Sequence, residues 1–467
     1  GRETTLKTMT KSHTGNYYGG YAVFANVLKS KGRYGGHVYA HDSRTSCSYV
    51  CMCQTRAIHS VVFGGYSAES LAERILDGNC KVLVTADGVF RGTKNLHMNA
   101  VIVVEHQKNL LSTKKALSQP NGTPKTIVHG YNIDVSWNPK VDVWWHDEMK
   151  KQTMSVNPCG GSTGKPKGCL HTTGGYMVYG ALTFKYVFDY FPGDVFFCTG
   201  DIGWLTGHTY IVYGSLLNTA TCILYEGVPT HPDAGRYWEV VEKYGATHFY
   251  TAPTAIRTLM RYDDAYVTNY ARIHCRYSLQ SLRSGMGNGE PINRDAWFWY
   301  QKIVGEGRCP IVDTYWQTET GGHLLTPIPF CTPLKPGCAS LPFFGVEPAI
   351  LDEEGNEIKG PGKGYLVIKR PWPAIMRTVY GDHNRFEQTY FSKFPGYYFT
   401  GDGGMRDEDG LYWVTGRVDD MLNVSGHLLS TTDVEASLMG HKKRGRNCSG
   451  PSSTPGQRRM PLLFRGA

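Results

Sequence analysis

Between about residues 67 and 345, short apolar runs alternate with stretches that carry helix-start and helix-stop residues. That alternation constrains the fold most, because parallel strands need long crossovers, usually helices, whereas antiparallel strands need only a turn. "KVLVTAD" (81–87) and "AVIVVEH" (100–106) read as buried strands. "DAGRYWEVVEKYG" (233–245) reads as a helix opened by Asp233 and closed by Gly245, followed at once by the strand "THFYTAP". "NRDAWFWYQKIVG" predicts another helix, capped by Asn293 and ended by Gly305, before the strand "CPIVDTY". From about residue 364 the texture changes to strands joined by turns such as "DEDG" (407–410), which predicts a β-rich subdomain. The pattern is α/β, and the 467 residues suffice for one large multi-layer domain plus a smaller one. No internal repeat is present. From about residue 442 periodicity gives way to Gly, Pro, Ser and Arg, as in a disordered tail.

Composition removes several function classes. With 41% hydrophobic and 19% charged residues the chain is globular in type. The net charge of +9 suits an anionic ligand such as a nucleotide as well as it suits nucleic acid. The basic run "HKKRGR" (441–446) lacks an accompanying recognition motif and reads as solvated. Of 13 cysteines, the closest set is Cys47, Cys51 and Cys53, with no His or second pair at zinc spacing, so buried free thiols in a reducing compartment are expected. No run of eighteen apolar residues appears, and "GRETTLKTMTKSHTG" lacks an apolar signal core, so no membrane insertion is expected. A start without Met reads as a fragment, which leaves a lost targeting peptide open.

"CGGSTGKPKGCLHTTGG" (159–175) holds six glycines and two lysines, a poor recipe for helix or strand. The triphosphate loop G-x-x-x-x-G-K-[ST] fails here at Cys159 and at Pro166. Bare backbone N–H groups, the hydroxyls of Ser162 and Thr163, the turn at Gly164, and the charges of Lys165 and Lys167 could still wrap a polyphosphate. A solvated turn is the bland alternative.

"GSTGKPKG" resembles the phosphate-binding loop of the adenylate-forming, acyl-activating enzymes. "GNGEPIN" (287–293), "DTYWQTETGG" (313–322), "YYFTGDGG" (397–404) and "GRVDDMLNVSGHLLST" (416–431) follow in that family's order and spacing. "DIGWLTGHTYIVYG" and "YTAPTAIRTLM" look like its AMP-forming acetyl-CoA synthetases, over roughly residues 55–440. The resemblance implies a large N-terminal domain (1–418, with 1–54 irregular) of parallel-type sheets sandwiched by helices, plus the β-rich subdomain. It implies that 419–441 begin a small mobile α+β domain that is truncated, while 442–467 match nothing.

It also implies a chemistry: acetate attacks the α-phosphorus of ATP, pyrophosphate leaves, and the thiol of CoA then takes the acetyl group. Because the nucleophile is already anionic, the protein's task is to position reactants and neutralise charge. By resemblance Gly289, Glu290 and Pro291 lie along adenine. Asp313, Thr314, Tyr315, Trp316, Gln317 and Thr318 run past the base and the α-phosphate. Asp402 accepts from the ribose hydroxyls, with Arg417 alongside. Glu319 would hold Mg2+, which favours one or two carboxylates plus phosphate oxygens. Trp316, with Leu205, Thr206 and Asn288, bounds the acyl pocket and favours acetate over propionate. Asn288 stands where such enzymes carry Val, a polar departure beside the methyl site. CoA falls to Arg91, Gly92, Thr93, Lys94, Thr206, Thr230 and Ser425. Met439 and His441 match a second cation site, Asp419 a hinge, and the family's catalytic lysine is absent from this chain.

The expected partners are therefore small molecules, with neither nucleic acid nor membrane, and the expected location is cytoplasmic, nucleus and mitochondrion remaining open. The competing reading is a nucleotide-binding remnant with a regulatory or interaction role.

Overall fold

The computed structural model describes residues 168–269, 277–281 and 294–418, together with Leu71, Ala72, Arg74, Ile292 and the strand backbones between residues 2 and 144 and between 422 and 429. Its principal sheet has six strands in the spatial order Arg2–Leu6, Thr221–Glu226, Val195–Cys198, His248–Thr251, Tyr277–Ser281 and Ile311–Thr314. Every pairing is parallel except the first, which adds Arg2–Leu6 antiparallel to Thr221–Glu226. Residues 1–54 thus supply an edge strand at Arg2–Leu6 and a second strand at Gly36–Val38.

A second, fully parallel sheet runs Val143–Trp144, Ile102–Val104, Val82–Ala86, Gly36–Val38, His59–Val61. The expected strands at 81–87 and 100–106 lie within it. The β-rich unit is antiparallel: Pro348–Leu351, Gly362–Ile368, Tyr398–Arg406, Tyr412–Arg417. It starts before residue 364, because the short run "PAIL" pairs with Gly362–Ile368. The turn at 407–410 forms as expected, with Gly410 N–H donating to Asp407 O (3.0 Å).

Local chemistry explains the elements. The helix Arg236–Tyr244 buries Tyr237, Trp238, Val240 and Val241 and stops at Gly245, whose φ of 59° is the left-handed conformation that ends helices. Asp233 lies ahead of the helix and accepts from Gly235 N–H at 2.7 Å. The strand "HFYT" is buried at all four positions, as a central parallel strand must be. The helix beginning at Arg294 changes to a π-helix at Tyr300–Val304, and Gly305 ends it with an ordinary right-handed φ of −83°. Asn293, expected as its cap, lies outside the described residues.

The core is aromatic. Phe188, Phe196, Tyr210 and Tyr250 are buried and meet edge-on or tilted, with centroids 4.8 to 6.4 Å apart. Burying each such side chain contributes about 1.5–3 kcal/mol. Cys198, Cys222 and Cys338 are buried free thiols, as expected, whereas Cys331 is exposed.

Candidate functional site

In a parallel sheet, ligands bind beyond the carboxyl ends of the strands. Val195–Cys198 leads there to Leu205 and Thr206, Thr221–Glu226 to Thr230, and Ile311–Thr314 directly into Tyr315–Glu319. One edge of one sheet thus gathers segments that are far apart in sequence.

The turn after Ile311–Thr314 is held at successive carbonyls. Thr318 O faces His171 Nε2 (3.0 Å), and Glu319 O accepts from Met376 N (2.9 Å). Thr320 O accepts from Trp372 Nε1 (2.9 Å), Gly321 O from Thr209 Oγ1 (3.1 Å), and His323 O from the Tyr179 hydroxyl (2.6 Å). A loop with its acceptors so fully engaged presents its side chains in one fixed geometry. Gly321 sits at φ 72°, and a Cβ there would come 2.7 Å from Ala374 O, so no other residue fits without movement.

Within this turn Tyr315 and Gln317 are buried and reach the β-rich sheet. The Tyr315 hydroxyl and Gln317 Nε2 each donate to Asp402 Oδ2 at 2.7 Å. Asp402 is fully buried and pairs in register with Arg417 across two antiparallel strands. Gly401, just before Asp402, has φ 73°, and a Cβ there would lie 2.8 Å from Arg417 Nη1, which explains the glycine of "TGD". Glu319 is half-buried, and Oε1 accepts from the Tyr390 hydroxyl at 2.7 Å.

Trp316 is completely buried, with Tyr210 edge-on at 5.1 Å and His323 edge-on at 5.5 Å. Tyr210 lies on the π-helix Gly207–Gly214, whose N-cap is Thr206. Thr206 sits four residues before Tyr210, is itself buried, and its Oγ1 has no hydrogen-bond partner. π-helical turns occur disproportionately at functional sites. Leu205 is buried beside it, and Thr230 is half-buried.

Several buried groups here are displaced from their ordinary titration range, Asp313 and His323 among them. Burial pushes the Asp313 carboxyl well up, and Gly337 N–H, donating at 3.3 Å, offsets only part of that. The Trp297 indole N–H faces the same carboxyl without closing a hydrogen bond. Burial also holds the His323 imidazole far below its usual pKa, hence neutral.

The structure therefore brings together Asp313–Glu319, Asp402 and Arg417, and sets Leu205 and Thr206 at the start of a helix after Val195–Cys198 and Thr230 in a turn after Thr221–Glu226. Arg91 and Lys94 are neighbours in a two-stranded ladder, known by backbone alone. Ser162, Thr163, Gly164, Lys165, Lys167, Gly92, Thr93, Asn288, Gly289, Glu290, Pro291, Asp419, Ser425, Met439 and His441 lie outside the described residues. Sequence reasoning missed Tyr390, Tyr398, His171 and His323, which read as ordinary core residues. Among the described residues no group of three or more His, Cys, Asp or Glu could enclose a metal, and no helix is long and apolar enough to cross a membrane.

A largely parallel α/β sheet with polar loops converging at its carboxyl edge is the architecture of a nucleotide-binding protein. Residues 22–380 match the AMP-binding enzyme family, and the chain belongs to it. It is 50% identical over 436 residues to an acetyl-coenzyme A synthetase of Magnetococcus marinus, covering 90% of this chain and 65% of that protein. It is 48% identical over 455 residues to an acetyl-coenzyme A synthetase of Drosophila melanogaster, with 90% and 65% covered. Against acetyl-coenzyme A synthetase 2 of Pseudomonas aeruginosa the identity is 48% over 435 residues, with 89% and 65% covered. The chain thus spans about 65% of the length of these relatives.

Proposed function

We propose that this chain carries the adenylation site of an AMP-forming acetate:CoA ligase. The reaction joins acetate to the α-phosphate of ATP with release of pyrophosphate, then passes the acetyl group to the thiol of CoA with release of AMP. The observation that carries the reading is the convergence of Tyr315 and Gln317 on the buried Asp402 carboxylate. It binds the turn expected beside adenine and the α-phosphate to the strand expected under the ribose.

Each part has a stated task. Asp402 accepts from the ribose diol. The fixed backbone of 313–318 flanks the base and the α-phosphate, so the reacting atoms meet with little reorganisation. Trp316, backed by Tyr210 and His323, closes the acyl pocket against anything much larger than a methyl group, which favours acetate. In this reading the loop at 162–167 holds the outer phosphates, Thr206 and Thr230 contact CoA, and Arg91–Lys94 grip its phosphate end.

Glu319 fits a magnesium ion delivered with ATP. Tyr390 restrains one carboxylate oxygen and is the only group bonded to the carboxylate among the described residues, and one carboxylate plus substrate phosphates satisfies this metal. When bound, Mg2+ supplies neutralisation of phosphate charge.

Acetate-dependent exchange of labelled pyrophosphate into ATP tests the reading. Exchange should require acetate, fall with propionate and fall further with butyrate. Exchange indifferent to the acid would count against it.

A further inference from the structure

We propose that Gln317 and Tyr398 are positioning residues: they fix the plane of the Asp402 carboxylate and thereby make the site selective for a nucleotide with an intact ribose diol. The inference deepens the ribose-binding role of Asp402 and rests on that role.

The Gln317 amide is hydrogen-bonded inside the protein through both its nitrogen and its oxygen. Nε2 donates to Asp402 Oδ2 and to Thr400 O, each at 2.7 Å. Oε1 accepts from the Tyr398 hydroxyl at 3.0 Å, while the Thr320 backbone N–H donates to the Gln317 main-chain carbonyl at 3.1 Å. Both amide donors and one acceptor site are thus committed within the protein. A residue counted by sequence among nucleotide contacts is therefore engaged one layer behind them.

These bonds also settle which way the amide faces. Rotated by half a turn, its oxygen would meet the Thr400 carbonyl and the Asp402 carboxylate, two groups that cannot donate to it, and the bond donated by the Tyr398 hydroxyl would be lost. Tyr398 supports this orientation because its phenol donates to Oε1, whereas the Thr400 and Asp402 oxygens cannot donate and therefore need the NH2 side of the amide. Burial, chiefly, and then the nearby charge of Glu319 hold the phenol protonated. Its ring cannot swing away, being stacked on Tyr390 at 5.7 Å and 9° and edged by Trp372 at 5.6 Å. The second donor to Oδ2, Tyr315, arrives from two residues earlier in the chain. A carboxylate held by two donors at one oxygen has its plane fixed, and a vicinal diol reads that plane.

The test is a calorimetric titration of the full chain and of Tyr398→Phe with AMP, 2′-deoxy-AMP and 3′-deoxy-AMP. Phe keeps the ring stack and removes one hydroxyl. The unaltered chain should prefer AMP over either deoxy form by roughly ten- to hundredfold, the range for a hydrogen bond to a charged group. Tyr398→Phe should lower that ratio severalfold while leaving the affinity for the deoxy nucleotides within about twofold of the unaltered chain. Gln317→Leu, which keeps similar bulk but cannot bond, should lower the ratio further, with thermal unfolding checking that each variant is folded. A ratio that survives in both variants, with all affinities falling together, would overturn the positioning role and leave the ribose role standing. A ratio of one in the unaltered chain would overturn the ribose role, and the positioning role with it.

Discussion

The imidazole of His323 stacks on the ring of Tyr210, centroids 4.3 Å apart and planes 22° from parallel, and the pair forms the wall against which Trp316 rests. His323 bonds through Nε2 to the Tyr250 hydroxyl (3.2 Å), whereas Nδ1 is buried without a partner. His323→Phe should change unfolding free energy by no more than about 1 kcal/mol, because it trades one weak bond for the removal of an unsatisfied nitrogen. His323→Ala should cost about 3 kcal/mol through the cavity it leaves. Denaturant titration separates the two, and equal losses would show that packing is not what His323 supplies.

Trp316→Gly should open the acyl pocket and move preference toward longer acids, at a cost of roughly 3–5 kcal/mol for emptying a fully buried indole site. Competition between acetate and butyrate reads the first effect and urea midpoints the second. Unchanged acid preference would remove Trp316 from the pocket.

Stability should fall as pH drops from about 6.5 to 4. Burial lowers the pKa of His248 to about 4, although its bond to Phe188 O (2.6 Å) raises it in part. A folded pKa below the unfolded one means that the unfolded chain binds more protons across this window, so the stabilisation is complete above about 6.5 and is lost as pH falls through 4. His248 alone accounts for roughly 3 kcal/mol at full extent, and His171 and His323 act in the same direction. Guanidinium midpoints at pH 7.5 and 4.5 measure this, and His248→Gln should flatten the slope. Equal midpoints in the unaltered chain would contradict it.

Asp313 works with the opposite sign. Its folded pKa is raised by burial, so it favours the fold at low pH and disfavours it as pH rises through the folded value. Asp313→Asn imitates the neutral acid and should stabilise the chain more at pH 8 than at pH 4. Stabilisation of the same size at both would show that the carboxyl is not held protonated.

Tyr390→Phe removes the hydroxyl that restrains Glu319 Oε1 and should raise the Mg2+ concentration needed for half-maximal ATP binding by roughly tenfold. A fluorescence titration of ATP at graded Mg2+ gives the midpoint directly. An unmoved midpoint would separate Tyr390 from the metal.

Much of the fold was legible because the deciding signals are local. His248–Thr251 and Ile311–Thr314 are short apolar runs bounded by Gly and Pro, and Gly245 marks a helix end that its φ confirms. The π-helical turns at Gly207–Gly214 and Tyr300–Val304 were not legible, since five to eight residues cannot separate their period from 3.6. The β-rich sheet was placed late because "PAIL" is too short to show alternation until its partner at Gly362–Ile368 is known. In the site, Asp402 and the turn from Asp313 stand in recognisable motifs. Tyr398 stands two residues before "TGD" and Tyr390 in a plain helix, and only the meeting of distant segments reveals that their hydroxyls serve Gln317 and Glu319.

The central claim is that the site joins acetate to AMP on the way to the thioester, and the nucleotide product reports on it most directly. Incubate the chain with labelled acetate, ATP, Mg2+ and CoA, and follow phosphorus resonances alongside thioester formation. Acetyl-CoA should accumulate in step with AMP and pyrophosphate, both dependent on acetate and lost in Glu319→Gln. ADP and inorganic phosphate in their place, or ATP consumption indifferent to acetate, would contradict the claim.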